Sequence, residues 1–393
     1  MKNKEKIIVL NKFIPAPAYN GGAKRNLAWI KFLSKRYDII LIGFWDKKYK
    51  GEMISFLEKY NVKVYGCSFS RSMISLMINF LGSIFSKMPV TCKQYYNSII
   101  EDTISKAIED YDIKFVFCSE LAMMQYCNNM QIPIYFDDHN IEHILLERSS
   151  KFSKFPINLF LKRESKLMKA FEYHAFEISK EITCVSNTDR MLIPDEYKNK
   201  VVVVNNTYDN NNTKQGNLFE KPTIVFVGSI SWKPNKQGLK HFIKNIFPLI
   251  LKKNNEVMLK IIGSNIDNYI KSYSNDNINF YENLDEEEKS NIISQSWICI
   301  VPVYFGSGTR IKIIEYWSHS KPVISTSIGA EGLILSDGTK IVDSDISFSE
   351  EICNLINDKE KIEEMGLENN KLFNLHYSEE AVYENSLYNT LFA

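Results

Sequence analysis

Residues Trp297-Ile298-Cys299-Ile300-Val301-Pro302-Val303-Tyr304-Phe305-Gly306-Ser307-Gly308-Thr309-Arg310-Ile311-Lys312-Ile313-Ile314-Glu315-Tyr316-Trp317 carry the pattern on which the fold turns. The apolar, β-branched run 298–303 predicts a buried strand, a glycine-rich turn follows, and a helix is expected to begin near Thr309. Amides exposed at a helix start, aided by the positive end of the helix dipole, form a natural anion site. Arg310 and Lys312 place two positive charges in the first turn, where they oppose the dipole unless an anion joins them. Phosphate is the obvious anion. Glu315, about one turn beyond Lys312, is placed to accept hydrogen bonds from sugar hydroxyls. The competing reading is a solvated helix in which Arg310 or Lys312 pairs with Glu315 at the surface.

The same strand-then-helix alternation extends in both directions. Apolar strands are predicted at 7–10, 39–42, 62–65, 115–118, 132–136, 182–185 and 201–204, separated by amphipathic stretches such as 22–35, 51–60 and 98–109. The alternation breaks in the polar run that begins Asn205-Asn206-Thr207-Tyr208, then restarts with strands at 223–227, 258–262, 278–281, 298–303 and 322–325. Continuous apolar strands alternating with helices indicate parallel sheets covered on both faces. The expected class is therefore α/β, with two doubly wound parallel-sheet domains. Residues 1–205 form the first, 206–221 a linker, 222–375 the second, and 376–393 a terminal helix. Ligands of such sheets sit at the carboxyl ends of the strands, so the informative residues are those just after them.

Composition bounds the function. The chain has 393 residues, 45% hydrophobic and 24% charged, with a formal net charge of +1. Whole-chain disorder is excluded, and the charge balance argues against sequence-independent nucleic-acid binding. The seven cysteines form no C-x-x-C pair and lie mostly in apolar runs, so buried free thiols in a reducing compartment are expected. No signal-like segment or apolar run of about 18 residues occurs. A cytoplasmic location is the expectation, and nothing in the chain indicates an oligomeric state. The stretch 71–87, apolar with basic ends, reads either as an interfacial helix at a membrane or as a buried helix.

Other motifs are weaker by themselves. Gly228-Ser229 and Gly263-Ser264 each follow a predicted strand, but neither belongs to a G-x-G-x-x-G or P-loop pattern. Asn20-Gly21-Gly22 places glycines at a helix start after the first strand, and Asp137-Asp138-His139-Asn140 places a histidine at a strand end. His139 reads as a hydrogen-bond donor or base, or as a structural histidine. Asp343-Ser344-Asp345 has D-x-D spacing, but its place before a helix makes capping the expected role, and no metal is expected. His174, His241, His319 and His376 show no ligand spacing.

Phe226-Val227-Gly228-Ser229-Ile230-Ser231-Trp232-Lys233-Pro234-Asn235, the segment Gly306 to Glu315, and Lys321-Pro322-Val323 through Gly329-Ala330-Glu331-Gly332 together resemble the donor domain of retaining GT-B glycosyltransferases, glycosyltransferase family 4. The Gly21-Gly22 turn, Asp138-His139-Asn140-Ile141-Glu142 and Val185-Ser186 resemble the acceptor domain more loosely. The resemblance implies two facing Rossmann-like domains, with a nucleotide-diphosphate sugar as co-substrate and no further cofactor. It implies a saccharide or lipid-linked acceptor, retention of anomeric configuration and a last helix that crosses back to the first domain. Carried over, Glu315 matches the second glutamate of the family's E-x7-E motif, at the nucleotide ribose. Gly306, Ser307, Gly308, Thr309 and the helix start to Lys312 match the segment holding donor sugar and phosphate. His139 matches the histidine beside the transferred sugar, and Gly21 and Gly22 match the loop approaching the diphosphate. Two departures stand out. Ser307 occupies the place of the first motif glutamate, and Gly228-Ser229 replaces the family's Gly-Arg. Arg310 and Lys312 are candidates to supply the missing charge. A nucleotide-sugar epimerase and a non-catalytic sugar-nucleotide-binding protein remain open alternatives.

Overall fold

The computed structural model describes residues 4–16, 18, 20–45, 50–69, 87–209, 213, 216–306 and 308–386, the last three as backbone only. The chain divides into two compact units, Met1–Val204 and Asn205–Ala393. In the first, the strands among the described residues are β1 (Lys6–Phe13), β2 (Asp38–Trp45), β3 (Val62–Ser68), β4 (Ile113–Ser119), β5 (Ile134–Asp138), β6 (Glu181–Cys184) and β7 (Val201–Val203). They pair in parallel in the order β3-β2-β1-β4-β5-β6-β7. The helices that matter below are α1 (Gly21–Ser34), α2 (Ser98–Asp110), α3 (Glu142–Lys151) and α4 (Ile157–Ile178). One sheet face buries Ile8, Leu10, Ile40 and Phe136, and the other packs Phe117 against Trp29 of α1. Both faces being covered is why these strands read as unbroken apolar runs.

The second unit has β8 (Thr223–Val227), β9 (Met258–Gly263), β10 (Ile278–Glu282), β11 (Ile298–Val301), β12 (Val323–Ser325) and β13 (Thr339–Ile341). Their parallel order is β10-β9-β8-β11-β12-β13. Helices α5 (Lys233–His241), α6 (Glu286–Gln295), α7 (Ile311–Ser318), α8 (Asp345–Leu355) and α9 (Lys359–His376) cover it. Alternation along β8 sorts the core: Ile224 and Phe226 join Leu239 and Phe242 on one face, while Val225 joins Ile313, Ile314 and Trp317 on the other. Ile313 and Ile314 are fully buried, and each such side chain contributes about 1.5–3 kcal/mol from burial. Two polar contacts then lock α7 to the sheet. Val227 N donates to Tyr316 Oη at 2.7 Å, and Trp317 Nε1 donates to Thr339 Oγ1 at 2.8 Å.

The expected linker differs in part. Asn206, Thr207 and Tyr208 are buried within the second unit, and Tyr208 N donates to Tyr377 O at 3.2 Å. A polar segment is tolerated inside when its hydrogen bonds are met, and the side chains of Asn206 and Tyr208 bond to Thr309 and Glu315. The stretch 71–86, residues 210–212, and residues 387–393 of the expected last helix lie outside the described residues. All seven cysteines are free, six buried and Cys67 half-buried. No described helix is long and apolar enough to cross a membrane.

Candidate functional site

In each sheet the strand order reverses direction between the first and fourth strands of that unit, which opens a crevice at their carboxyl ends. In the second unit these are β8 and β11, paired at Ile298–Ile224 and Cys299–Val225. Gly228 and Ser229 leave β8, and Gly306, Gly308, Thr309 and Arg310 leave β11, so the topology brings them to one place. Ser307 lies outside the described residues. Helix α7 begins at Ile311, two residues later than expected, with Arg310 in extended conformation as its N-cap. Gly306 at φ +128° and Gly308 at φ +79° keep the preceding turn open, and non-glycine residues rarely adopt such angles.

Lys312 reaches back across this turn. Its Nζ donates to Asn235 Oδ1 at 2.8 Å and lies 4.4 Å from the centre of the Phe226 ring. Asn235 Nδ2 in turn donates to Ser229 O at 2.9 Å. A Cβ on Gly228 would come within 2.5 Å of Lys312 Nζ and 2.7 Å of Asn235 Nδ2, so a larger residue there would displace the ends of both side chains. Burial, with the neighbouring Arg310 charge, pushes the Lys312 ammonium down to about 7, and Glu315 only partly opposes this. The Arg310 guanidinium lies 5.1 Å from the Trp232 ring centre and donates to Gly308 O. A partly deprotonated lysine beside an arginine at a helix start is a site that gains from an incoming anion. Thr309 Oγ1 accepts from Asn206 Nδ2 at 2.5 Å, and Ser229 Oγ lies 2.8 Å from Ser231 Oγ.

Glu315 and Arg310 are both buried, which removes the solvated-helix reading. Lys289 Nζ on α6 meets its Oε1 at 2.7 Å, and Tyr208 Oη donates to the same oxygen at 3.0 Å. Lys289 also meets Glu286 at 2.7 Å. Desolvation lowers the Lys289 ammonium, but these two carboxylates outweigh it and raise it above the usual lysine range. The Tyr208 hydroxyl is also pushed up, by burial and then by Glu315. Both partners escaped the sequence reading: Tyr208 sits in a polar run, and Lys289 follows an acidic trio. The one available signal for Tyr208 was an aromatic residue inside a segment with nothing else apolar.

In the first unit, Gly21 and Gly22 open α1, whose N-cap Asn20 accepts from Ala23 N at 2.9 Å. His139 lies just beyond β5, and its Nδ1 is 3.6 Å from where a Gly22 Cβ would stand. The predicted loop and histidine therefore converge within one unit. His139 Nε2 is 3.0 Å from Asp137 Oδ2 and 3.0 Å from Ser119 Oγ. In the neutral ring the carboxylate partner places the proton on Nε2, which leaves Nδ1, facing the helix start, to accept. Asp137 is fully buried and takes Arg25 in a bidentate pair (Nε–Oδ2 2.9 Å, Nη2–Oδ1 2.5 Å) and Thr183 Oγ1 at 2.6 Å. Burial opposes its ionisation, but Arg25 and then His139 hold the carboxyl far below the usual range. Arg25 Nη1 also donates to Val204 O at 2.8 Å. Sequence reasoning singled out His139 without the Arg25–Asp137 pair that holds it, because the partners are 112 residues apart.

The D-x-D spacing is resolved differently from the expectation. Ser344, not an acid, caps α8; Asp343 accepts from Ser327 N at 2.8 Å, and Asp345 pairs with His241 at 2.7 Å. A hydroxyl serves because the cap needs only an oxygen turned toward the helix amides. Among the described residues, no group of three or more His, Cys, Asp or Glu is arranged to hold a metal ion.

Two doubly wound units, the second with a glycine-lined, cationic crevice and a buried glutamate one turn into its helix, define the GT-B fold. Residues 221–358, within the second unit, match the family model described as glycosyl transferases group 1. A Klebsiella pneumoniae protein described as an uncharacterized 44.6 kDa protein in cps region is 28% identical over 140 residues, which is 33% of this chain and 36% of that one. The chain thus matches about a third of that relative's length. Among solved structures, sucrose-phosphate synthase from Thermosynechococcus elongatus superposes with a TM-score of 0.71 at 11% identity, covering 97% of both chains. A glycosyltransferase from Rickettsia africae superposes at 0.66 with 15% identity, covering 98% of this chain and 97% of that one. The Anabaena protein HepE, in complex with UDP and glucose, superposes at 0.63 with 11% identity, covering 97% of both. At these identities the likeness establishes the shared fold.

Proposed function

We propose that this chain is a glycosyltransferase that moves a sugar, with retention of anomeric configuration, from a nucleotide-diphosphate sugar to a saccharide or lipid-linked saccharide acceptor in surface polysaccharide assembly. The observation that carries the reading is the junction of Gly228, Gly306, Arg310 and Lys312 at the switch point of the second sheet, with Glu315 held in place by Lys289 and Tyr208. The cps-region relative supports the process, and the UDP and glucose held by HepE support the donor class.

Transfer breaks the bond between the anomeric carbon and the phosphate oxygen. Positive charge grows on the sugar and negative charge on the leaving diphosphate. The amides that open α7, with Arg310 and a reprotonated Lys312, stabilise that diphosphate, the preorganised electrostatic effect that usually dominates such catalysis. The second unit thereby compensates for Ser229 standing where the family has arginine. Glu315 accepts hydrogen bonds from the ribose hydroxyls, its carboxylate oriented by Lys289 and Tyr208. His139, with Nδ1 free to accept, serves a hydroxyl of the transferred sugar rather than acting as a strong base. The acceptor oxygen bonds to the anomeric carbon on the face the diphosphate leaves, and the departing phosphate oxygen takes its proton, so that configuration is retained.

The test is a thermal-shift screen of the purified chain against UDP-, GDP-, ADP-, CMP- and dTDP-sugars, each beside its free nucleotide. A ligand at about 100 times its Kd adds about 2.7 kcal/mol to stability. A shift confined to one nucleotide family names the base, and release of that nucleotide in the presence of an oligosaccharide acceptor establishes transfer. No shift with any of them refutes the donor site.

A further inference from the structure

The strongest feature outside the candidate site is the corner between α3 and α4 in the first unit. Five cations occur in residues 148–163, Arg148, Lys151, Lys154, Lys162 and Arg163, and the acids lie at the two ends of this stretch, where Glu147 pairs with Lys151 at 3.1 Å and Glu164 with Arg163 at 2.8 Å. Among them Phe155 is 80% exposed, Leu159 63% and Ile157 58%. Scattered exposed apolar residues are ordinary on a protein surface, but three large ones within five residues, on a tip free of acids, are not.

The architecture explains why the tip stands out. The buried face of α4 starts at Glu164 and Ser165 and continues through Met168 and Glu172 to Phe176. The first turn of α4 therefore runs past the buried face, and Ile157 and Leu159 stand exposed there. The base of the hairpin is fixed by polar contacts: Ser165 Oγ donates to His143 O at 2.8 Å, Glu172 Oε1 accepts from Glu142 N at 2.7 Å, and Glu164 Oε2 accepts from Val90 N at 2.7 Å. Rigid at its root, the hairpin presents an apolar tip ringed by lysines.

We infer that this tip is a membrane foot, which inserts Phe155, Ile157 and Leu159 into the headgroup region of an anionic bilayer while Lys151, Lys154 and Lys162 engage lipid phosphates. The charge pattern chooses this occupant. Apolar side chains that enter the acyl boundary, flanked by lysines and with acids only at the base of the hairpin, match an anionic lipid surface, whereas a protein-binding patch is typically depleted of lysine. The placement also gives the foot a purpose, and this part rests on the proposed function. His139 is followed directly by α3, whose 10 residues span about 15 Å. A lipid-linked acceptor reached through the foot would thus lie within one short helix of His139.

The experiment is co-sedimentation of the full chain with vesicles of phosphatidylcholine alone and with about 30 mol% phosphatidylglycerol added, at low and high salt. Expected is binding to the anionic vesicles at least tenfold stronger than to neutral ones, weakened by salt, and lost at least tenfold in Phe155→Asp and in the Lys151→Glu/Lys154→Glu pair. Unchanged near-ultraviolet circular dichroism checks that the variants fold. Phe155→Trp supplies an independent readout, since the fluorescence of the introduced indole should shift to the blue on adding anionic vesicles. Equal sedimentation of parent and variants, or an unshifted emission from the Phe155→Trp variant, overturns the inference. Concentration-dependent dimerisation abolished by Phe155→Asp, without vesicle binding, overturns it in favour of a self-association surface. Because no sugar nucleotide enters this assay, its outcome is separate from that of the donor screen.

Discussion

Lys312 gives the donor site a pH dependence that can be worked out in advance. In the ligand-free chain its ammonium is pushed from 10.5 down to about 7 by burial and Arg310. A diphosphate placed beside it reverses that balance and returns the group toward its ordinary value. Binding then takes up a proton wherever the free site is deprotonated, so affinity falls as pH rises. Taking the free value of about 7 and a full return to the ordinary 10.5 on binding, the Kd should weaken roughly 25-fold between about pH 6.5 and about pH 8.5, equivalent to about 1.9 kcal/mol. The assay is isothermal calorimetry with the sugar nucleotide selected by the thermal screen, whose diphosphate carries no group titrating in this window. Repeating it in two buffers of different ionisation enthalpy counts the protons. Uptake should approach one proton per ligand at the alkaline end, and Lys312→Met should bind weakly with a flat profile. A flat profile in the parent chain, or proton release on binding, would refute the reasoning.

Three further outcomes follow from the geometry. Gly228→Ala pushes aside both Lys312 Nζ and Asn235 Nδ2; because charged hydrogen bonds contribute about 1.5–3 kcal/mol, calorimetry should show at least ~tenfold weaker donor binding with the fold intact by circular dichroism. Asp137→Asn leaves buried Arg25 without its carboxylate and should cost about 3–5 kcal/mol, lowering the unfolding midpoint of the first unit by on the order of 10 °C. The parent loses this contribution as pH falls below the unfolded aspartate value of 3.8, because its folded carboxyl is depressed, so the gap between parent and variant should close in acid. Tyr208→Phe removes one hydroxyl from Glu315 and should cost about 1 kcal/mol in stability with a several-fold loss of nucleotide affinity; an unchanged Kd would place segment 205–208 outside the donor site.

Much of this was legible in the chain itself. The strand runs, their parallel pairing and the existence of two units follow from local chemistry, since a strand covered on both faces must be continuously apolar and a parallel strand must be followed by a crossover helix. Gly306, Gly308, Arg310 and Lys312 were legible for the same reason: they adjoin one strand and one helix start, and the conflict of cations with the helix dipole is written within a few residues. What the sequence by itself could not determine is which side chains those residues meet. Arg25 and Asp137 are 112 positions apart, and Tyr208 and Glu315 are 107. Only the strand order, which carries β1 beside β4 and β8 beside β11, brings such partners within hydrogen-bond reach. The exposed tip at Phe155 was hidden in the opposite sense. Its apolar residues have the composition of a core, and only the tertiary structure decides that the core ends at Glu164, because whether an apolar side chain is buried depends on what the rest of the chain leaves beside it.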